Sequence, residues 1–161
     1  MTRRLSIVAV LLALGTLALM AAGNAPVAYP EGYRNWTHVK SMVIQAGHPL
    51  FDSFGGVHHI YANDKALTAL TRGGSLYPDG SVFVFDLLEA PVENNAVVEG
   101  KRKIVGVMQK NSKRFATTGG WGFEGFKADT RERAVSDTGA SCWTCHQSQT
   151  KTDGTFTAWR P

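Results

Sequence analysis

Both cysteines of this 161-residue chain lie in one pentapeptide, Cys142-Trp143-Thr144-Cys145-His146. On a helix, thiols three residues apart stand about one turn apart. That spacing matches the edge of a porphyrin, and the adjacent imidazole swings beneath the ring to meet its metal. C-x-x-C-H is the attachment signature of c-type haem: two thiols add across the vinyl groups and the histidine ligates iron. One covalent haem per chain is therefore expected, held by Cys142, Cys145 and His146, with His146 as the metal ligand. Three other readings fit less well. A thioredoxin-type pair wants a βαβ unit before it, and none precedes Asp137-Thr138-Gly139-Ala140-Ser141. Structural zinc needs four ligands, and there is no second cysteine pair. A disulfide closing so small a loop would stabilise little and would leave His146 unexplained.

Haem is joined to such motifs after export, and the N-terminus carries the matching signal. Arg3 and Arg4 precede a charge-free run from Leu5 to Ala22, followed by small residues Gly23 and Ala25. This is the pattern of a cleaved secretory signal over residues 1–25. As a membrane anchor the run is borderline for ~30 Å of hydrocarbon, and Gly15 and Thr16 weaken it further. A periplasmic protein with no membrane attachment after cleavage is expected, its single domain covering residues 26–161. The leader contains two arginines and no acids, so the mature chain keeps 15 basic against 13 acidic residues, a formal +2. So mild a charge gives no reason to expect a nucleic-acid or anionic-membrane partner. A hydrophobic share of 43% suits one ordinary core.

The middle of the chain reads as β-rich. Strands are expected over His38–Ile44, Val57–Tyr61, Ser81–Leu88, Lys103–Gln109 and Gly119–Lys127. Asn63 is placed to cap a helix over Asp64–Thr71 that stops at Gly73-Gly74. Pro78-Asp79-Gly80 is a turn. Val27–Tyr33 reads as a loosely held lead-in, Glu89–Gly100 as an irregular loop and Asn111–Ala116 as a short helical turn. The segment from Ser141 should be helical. The long periodic helices of a four-helix cytochrome are missing. The expected class is α+β, mainly an antiparallel sheet with peripheral helices and a C-terminal haem segment.

Several of these stretches together resemble a known family. Tyr33-Arg34-Asn35-Trp36, Gly55-Gly56-Val57-His58-His59-Ile60-Tyr61-Ala62-Asn63, Pro78-Asp79-Gly80-Ser81, Thr117-Thr118-Gly119-Gly120-Trp121-Gly122-Phe123 and the late C-x-x-C-H are similar to the cytochrome P-460 family. The resemblance implies a mostly antiparallel β fold, usually homodimeric, used by two kinds of protein. Cytochrome P-460 proper oxidises hydroxylamine with a haem cross-linked to a lysine. Cytochrome c′-β keeps a five-coordinate iron under an apolar cap and binds nitric oxide or similar gases.

The strand after Asp79-Gly80 separates the two kinds. The cross-linking lysine of the oxidising members aligns with Phe85, and no lysine occurs between Lys65 and Lys101. The resemblance puts Phe85 over the iron, with Phe54 as a further pocket residue. It aligns His58 with a pocket arginine, His59 being one residue out of register, and brings the distal acid near Thr152-Asp153. Met42 and Met108 are the other candidate iron ligands, although methionines inside strands usually pack. An apolar cap lacks the base that hydroxylamine oxidation needs, and it disfavours polar ligands by desolvation. Neutral diatomic gases escape that penalty. The chain therefore looks like the c′-β branch, with nitric oxide or a related gas as ligand and a redox protein as a further partner. The alternatives are a hydroxylamine oxidoreductase and a six-coordinate electron carrier.

Overall fold

The computed structural model describes residues 26–160, so the secretory signal read over residues 1–25 lies outside the described residues. In chain order the elements are β1 (Thr37–Ile44), the one-turn helix α1 (Phe51–Phe54), β2 (Gly56–Ala62), α2 (Asp64–Thr71) and β3 (Val82–Leu88). They continue with the short pair β4 (Val92–Glu93) and β5 (Ala96–Val97), then β6 (Arg102–Lys110), β7 (Trp121–Lys127) and α3 (Ala140–His146). Five strands form one antiparallel sheet in the order β1-β2-β3-β6-β7. The fold is α+β, mainly antiparallel, as expected.

Local chemistry explains the agreement along the chain. The Asn63 side chain accepts the Ala66 N–H at 3.0 Å and starts α2, and the same oxygen takes the Val82 N–H at 3.0 Å. One asparagine thus caps a helix and fastens it to the next strand. Ala66 and Leu70, four residues apart on α2, are buried against the sheet.

Strand alternation gives the sheet two different faces. Phe83, Met108, Trp121 and Phe123 share one, covered by Ala66, Leu70 and Tyr77. Val84, Val105, Val107, Phe126 and Tyr61 share the other, covered by Val27 and Tyr33. Val27–Tyr33 is therefore not loosely held. Val27 and Tyr33 are core residues, and the Tyr33 hydroxyl donates to the buried Asp86 carboxylate at 2.8 Å. Asp86 also receives Arg102 Nε at 2.7 Å and Arg34 at 3.2 Å.

One other reading needs correction. Glu89–Gly100 contains the β4–β5 hairpin, turned at Asn94-Asn95 with φ of 49° and 64°, values asparagine tolerates better than most residues. The helical turn expected over Asn111–Ala116 is there, the Phe115 N–H donating to Asn111 O at 3.0 Å, and it runs on into a 3-10 turn at Ala116–Thr118 closed by Gly119 at φ 63°. Helix α1 was not expected. No helix among the described residues is long and apolar enough to cross a membrane.

Candidate cofactor site

The C-x-x-C-H segment forms α3, and nearby residues fix its start and its seat. The Asp137 carboxylate accepts the N–H groups of Gly139 at 3.0 Å and Ser141 at 2.8 Å. The Ser141 side chain above all, and those backbone bonds after it, hold it below the usual carboxylate range. Gly139, at φ 89°, passes so close to Phe123 that a Cβ there would lie 2.8 Å from the Phe123 Cβ. Trp143 fills a slot bounded by Gly119 and Gly154, both at positive φ, where added side chains would strike its ring. Cys142 is half-buried and Cys145 exposed, and both thiols are free. Burial raises the Cys142 thiol, the opposite of what a redox-active thiolate needs.

His146 has a defined tautomer. Its Nδ1 lies 2.7 Å from the Gly154 carbonyl, which can only accept, so Nδ1 carries the proton. Burial lowers its pKa, against the opposing effect of the Gly154 bond. The neutral ring keeps its lone pair at Nε2. Phe123 and Phe156 flank it, with centroids at 4.9 Å and 5.1 Å.

The Asp153-Gly154 loop that holds this ring is itself tied down. Lys110 Nζ donates to both Asp153 carboxylate oxygens, at 2.7 and 2.8 Å, and to Gly119 O at 3.0 Å. The Tyr77 N–H reaches the same carboxylate at 2.9 Å, and Trp121 Nε1 donates to the Asp153 carbonyl at 2.7 Å. The acid expected near Thr152-Asp153 in the distal pocket is thus engaged on the His146 side instead. Its partners take three of its roughly four acceptor sites.

Phe85, Phe54 and His58 form a second cluster. The Phe85 ring meets His58 edge-on at 4.6 Å and Phe54 at 6.0 Å. Register puts Phe85, His58 and Phe123 on one face of the sheet. Between Phe85 and Phe123 lies the directly paired Gly106 and Gly125. Two strands across and two residues along give a backbone separation of about 12 Å, floored by glycine. A Cβ at Gly106 would press on the Phe85 ring at 3.1 Å. His58 is buried, with Nε2 on the Phe54 carbonyl and Nδ1 unpartnered. Burial lowers its pKa, and the charge of nearby Lys103 adds to that. His59 points to the opposite face. Met108 is packed among Phe83, Trp121 and Phe123, while Met42 stands opposite His58 on the exposed edge strand.

The family model for Cytochrome P460 matches residues 30–157. The chain belongs to the Cytochrome P460 family. A search of curated proteins finds no match. Membership in Cytochrome P460 carries with it a haem cofactor and its iron, and the residues present fit that group. A neutral imidazole exposes its Nε2 lone pair, two free thiols sit one turn apart, and a glycine floor runs towards aromatic side chains. Phe54 and Phe156 are 41% and 54% exposed, so both rings have apolar surface free to pack against that group. Bound there, haem would supply the iron for redox or ligand-binding chemistry.

Sequence reasoning missed three residues of this site. Asp137 carried a cap signal, an Asp four residues before Ser141. Lys110 and Gly106 carried none, because their roles depend on strand register.

Proposed function

We propose that the mature chain is a periplasmic, mono-haem c-type cytochrome that binds nitric oxide or a related neutral gas. Cys142 and Cys145 hold the haem covalently and His146 is the protein ligand to a five-coordinate iron. Phe85 and Phe54 form an apolar cap, with His58 behind it. The observation that carries this reading is the Phe54–Phe85–His58 cluster, on the same sheet face as Phe123 and the His146 ring packed against it. The two phenyl rings of that cap offer no proton acceptor; the nearest is His58 Nδ1, which stands behind them, since Nε2 donates to the Phe54 carbonyl. The cap excludes polar ligands more strongly than neutral diatomics.

Hydroxylamine oxidation remains the second reading, because Lys103 reaches this end of the sheet. Its Nζ donates to Gly55 O at 2.7 Å, which keeps the amine engaged there. A homodimer is part of the proposal. Val43, Phe51, Val92 and Val97 support it as exposed apolar side chains near the end of β1.

The test is the visible spectrum of the ferrous protein, followed by titration with nitric oxide and assay with hydroxylamine and an artificial electron acceptor. High-spin bands of an unmodified c-type haem, tight nitric oxide binding and no turnover are expected. A red-shifted band with sustained turnover assigns the oxidoreductase, and sharp split low-spin bands assign the electron carrier.

A further inference from the structure

Strand β2 carries consecutive histidines, and alternation sends them to opposite faces. His58 belongs to the aromatic cluster. His59 faces away from it, into a polar group built from three segments. Ser41 Oγ on β1 lies 2.7 Å from His59 Nδ1 and 2.8 Å from His38 Nε2. Glu99, from the loop before β6, lies 2.6 Å from His59 Nε2. The two imidazole centroids are 5.6 Å apart and inclined at 64°. We propose that His38 and His59 bind one divalent transition-metal ion, such as Zn(II), Ni(II) or Cu(II), in the place of the exposed Ser41 hydroxyl, with water completing its shell and Glu99 supporting His59 from behind.

Tautomers support the assignment. A carboxylate only accepts, so the Glu99 contact places the His59 proton on Nε2 and leaves the Nδ1 lone pair facing Ser41. Ser41 has one hydrogen, and His59 Nδ1 takes it, so the unoccupied cluster needs an N–H at His38 Nε2. Moving that proton to Nδ1 costs little, because His38 is exposed and water can serve the other nitrogen. Two lone pairs from different strands then converge on the space that the hydroxyl now occupies. Each ring must move in by about 0.7 Å to go from 2.7–2.8 Å to the ~2.0–2.1 Å of an imidazole–zinc bond. The edge strand β1 permits that movement for His38, the more exposed of the two.

Glu99 makes this more than a chance pair. Ligating histidines ordinarily donate their other N–H to a carboxylate, which fixes the ring and raises its basicity. The same four residues make a poor serine-nucleophile relay, because the His38 N–H donates into the oxygen that would have to attack. Among the described residues no three His, Cys, Asp or Glu side chains converge on one point. The site therefore offers two strong donors, and imidazole ligands favour Cu(II) over Ni(II) and Zn(II). It lies on the opposite side of the sheet from the haem residues, so it does not compete for His146.

The experiment uses tag-free, haem-loaded mature protein titrated with Zn(II) by calorimetry and with Cu(II) by electron paramagnetic resonance. Wild type should bind one equivalent, with nitrogen hyperfine structure on the copper signal. Glu99→Gln should weaken binding about 10–100-fold, and His38→Ala and His59→Ala should each weaken it more. His48→Ala, which removes an exposed histidine elsewhere, should bind as wild type does. An unchanged haem spectrum confirms that each variant is folded. Absence of binding by wild type at millimolar metal overturns the site, as does undiminished binding by both His38→Ala and His59→Ala.

Discussion

Asp153 sets the posture of a ring it does not touch. Its carboxylate is fixed by Lys110 and by the Tyr77 N–H, and the next carbonyl, Gly154 O, holds the His146 Nδ1 proton. The Lys110 and Asp153 side chains are 7% and 15% exposed, so removing one charge strands the other in a nearly dry site. Asp153→Asn should cost about 3–5 kcal/mol of stability, read from urea unfolding. If the loop slackens, the His146 hydrogen bond weakens, and the haem reduction potential should rise with it. An unchanged potential in the folded variant would show that the ion pair is structural only. His58 supplies a pH prediction. Burial depresses its folded pKa below the ordinary 6.5, so the unfolded chain binds its proton first. Its neutral form is at no disadvantage above about pH 6.5, and stability is lost as pH falls from there towards the folded pKa. Unfolding midpoints at pH 7.5 and 5.5 should differ more for wild type than for His58→Gln. Equal differences would mean that His58 does not contribute to the acid sensitivity.

Helix α3 is too short to be stable alone, so its seat decides whether the cofactor residues are presented. Trp143 between Gly119 and Gly154 is that seat. Gly119→Val forces a β-branched residue into positive φ and into the Trp143 ring at once. It should abolish haem loading in vivo, scored by haem-stained gels against total protein. Normal loading would show that α3 docks by another contact. The strands and α2 were legible in the sequence because each carries its own signal. Asn63 announces a cap, Pro78-Asp79-Gly80 a turn, and Ser81–Leu88 a β-branched and aromatic run. The lead-in was misread because Pro and Gly suggested a loose segment, whereas Val27 and Tyr33 cover the Val84–Val105 face. The Phe54–Phe85–His58 cluster was anticipated only through family resemblance. Periodicity gives Phe85 a face but cannot say that a glycine pair lies beside it. The Lys110–Asp153 pair spans 43 residues, and no local pattern marks it.

One sheet with two unequal faces accounts for the whole molecule. The lead-in seals one face, helped by Arg131, which stacks on Tyr29 at 3.5 Å and pairs with Glu31 at 2.7 Å. On the other face α2 covers the Phe83–Trp121 half, Ala134 and Val135 pack over Gly125, and Phe85 and Gly106 stay half-buried beside the exposed Phe54. Haem would complete this second core, so folding and cofactor attachment should be coupled. In a Cys142→Ser, Cys145→Ser double variant the thioether links cannot form and haem is retained only by His146 and packing. The haem-free form must then leave Phe54, Phe156 and part of Phe85 in water. Those rings predict a deficit of about 3 kcal/mol or more relative to the haem-loaded wild type. The deficit should appear as a lower urea midpoint together with binding of a hydrophobic dye. Adding free haem should recover part of the stability in a concentration-dependent way, since a ligand that binds only the folded state stabilises it by mass action. A haem-free variant as stable as wild type, and silent to the dye, would mean that this half of the sheet closes on itself. The cofactor would then have to sit elsewhere than on the glycine floor.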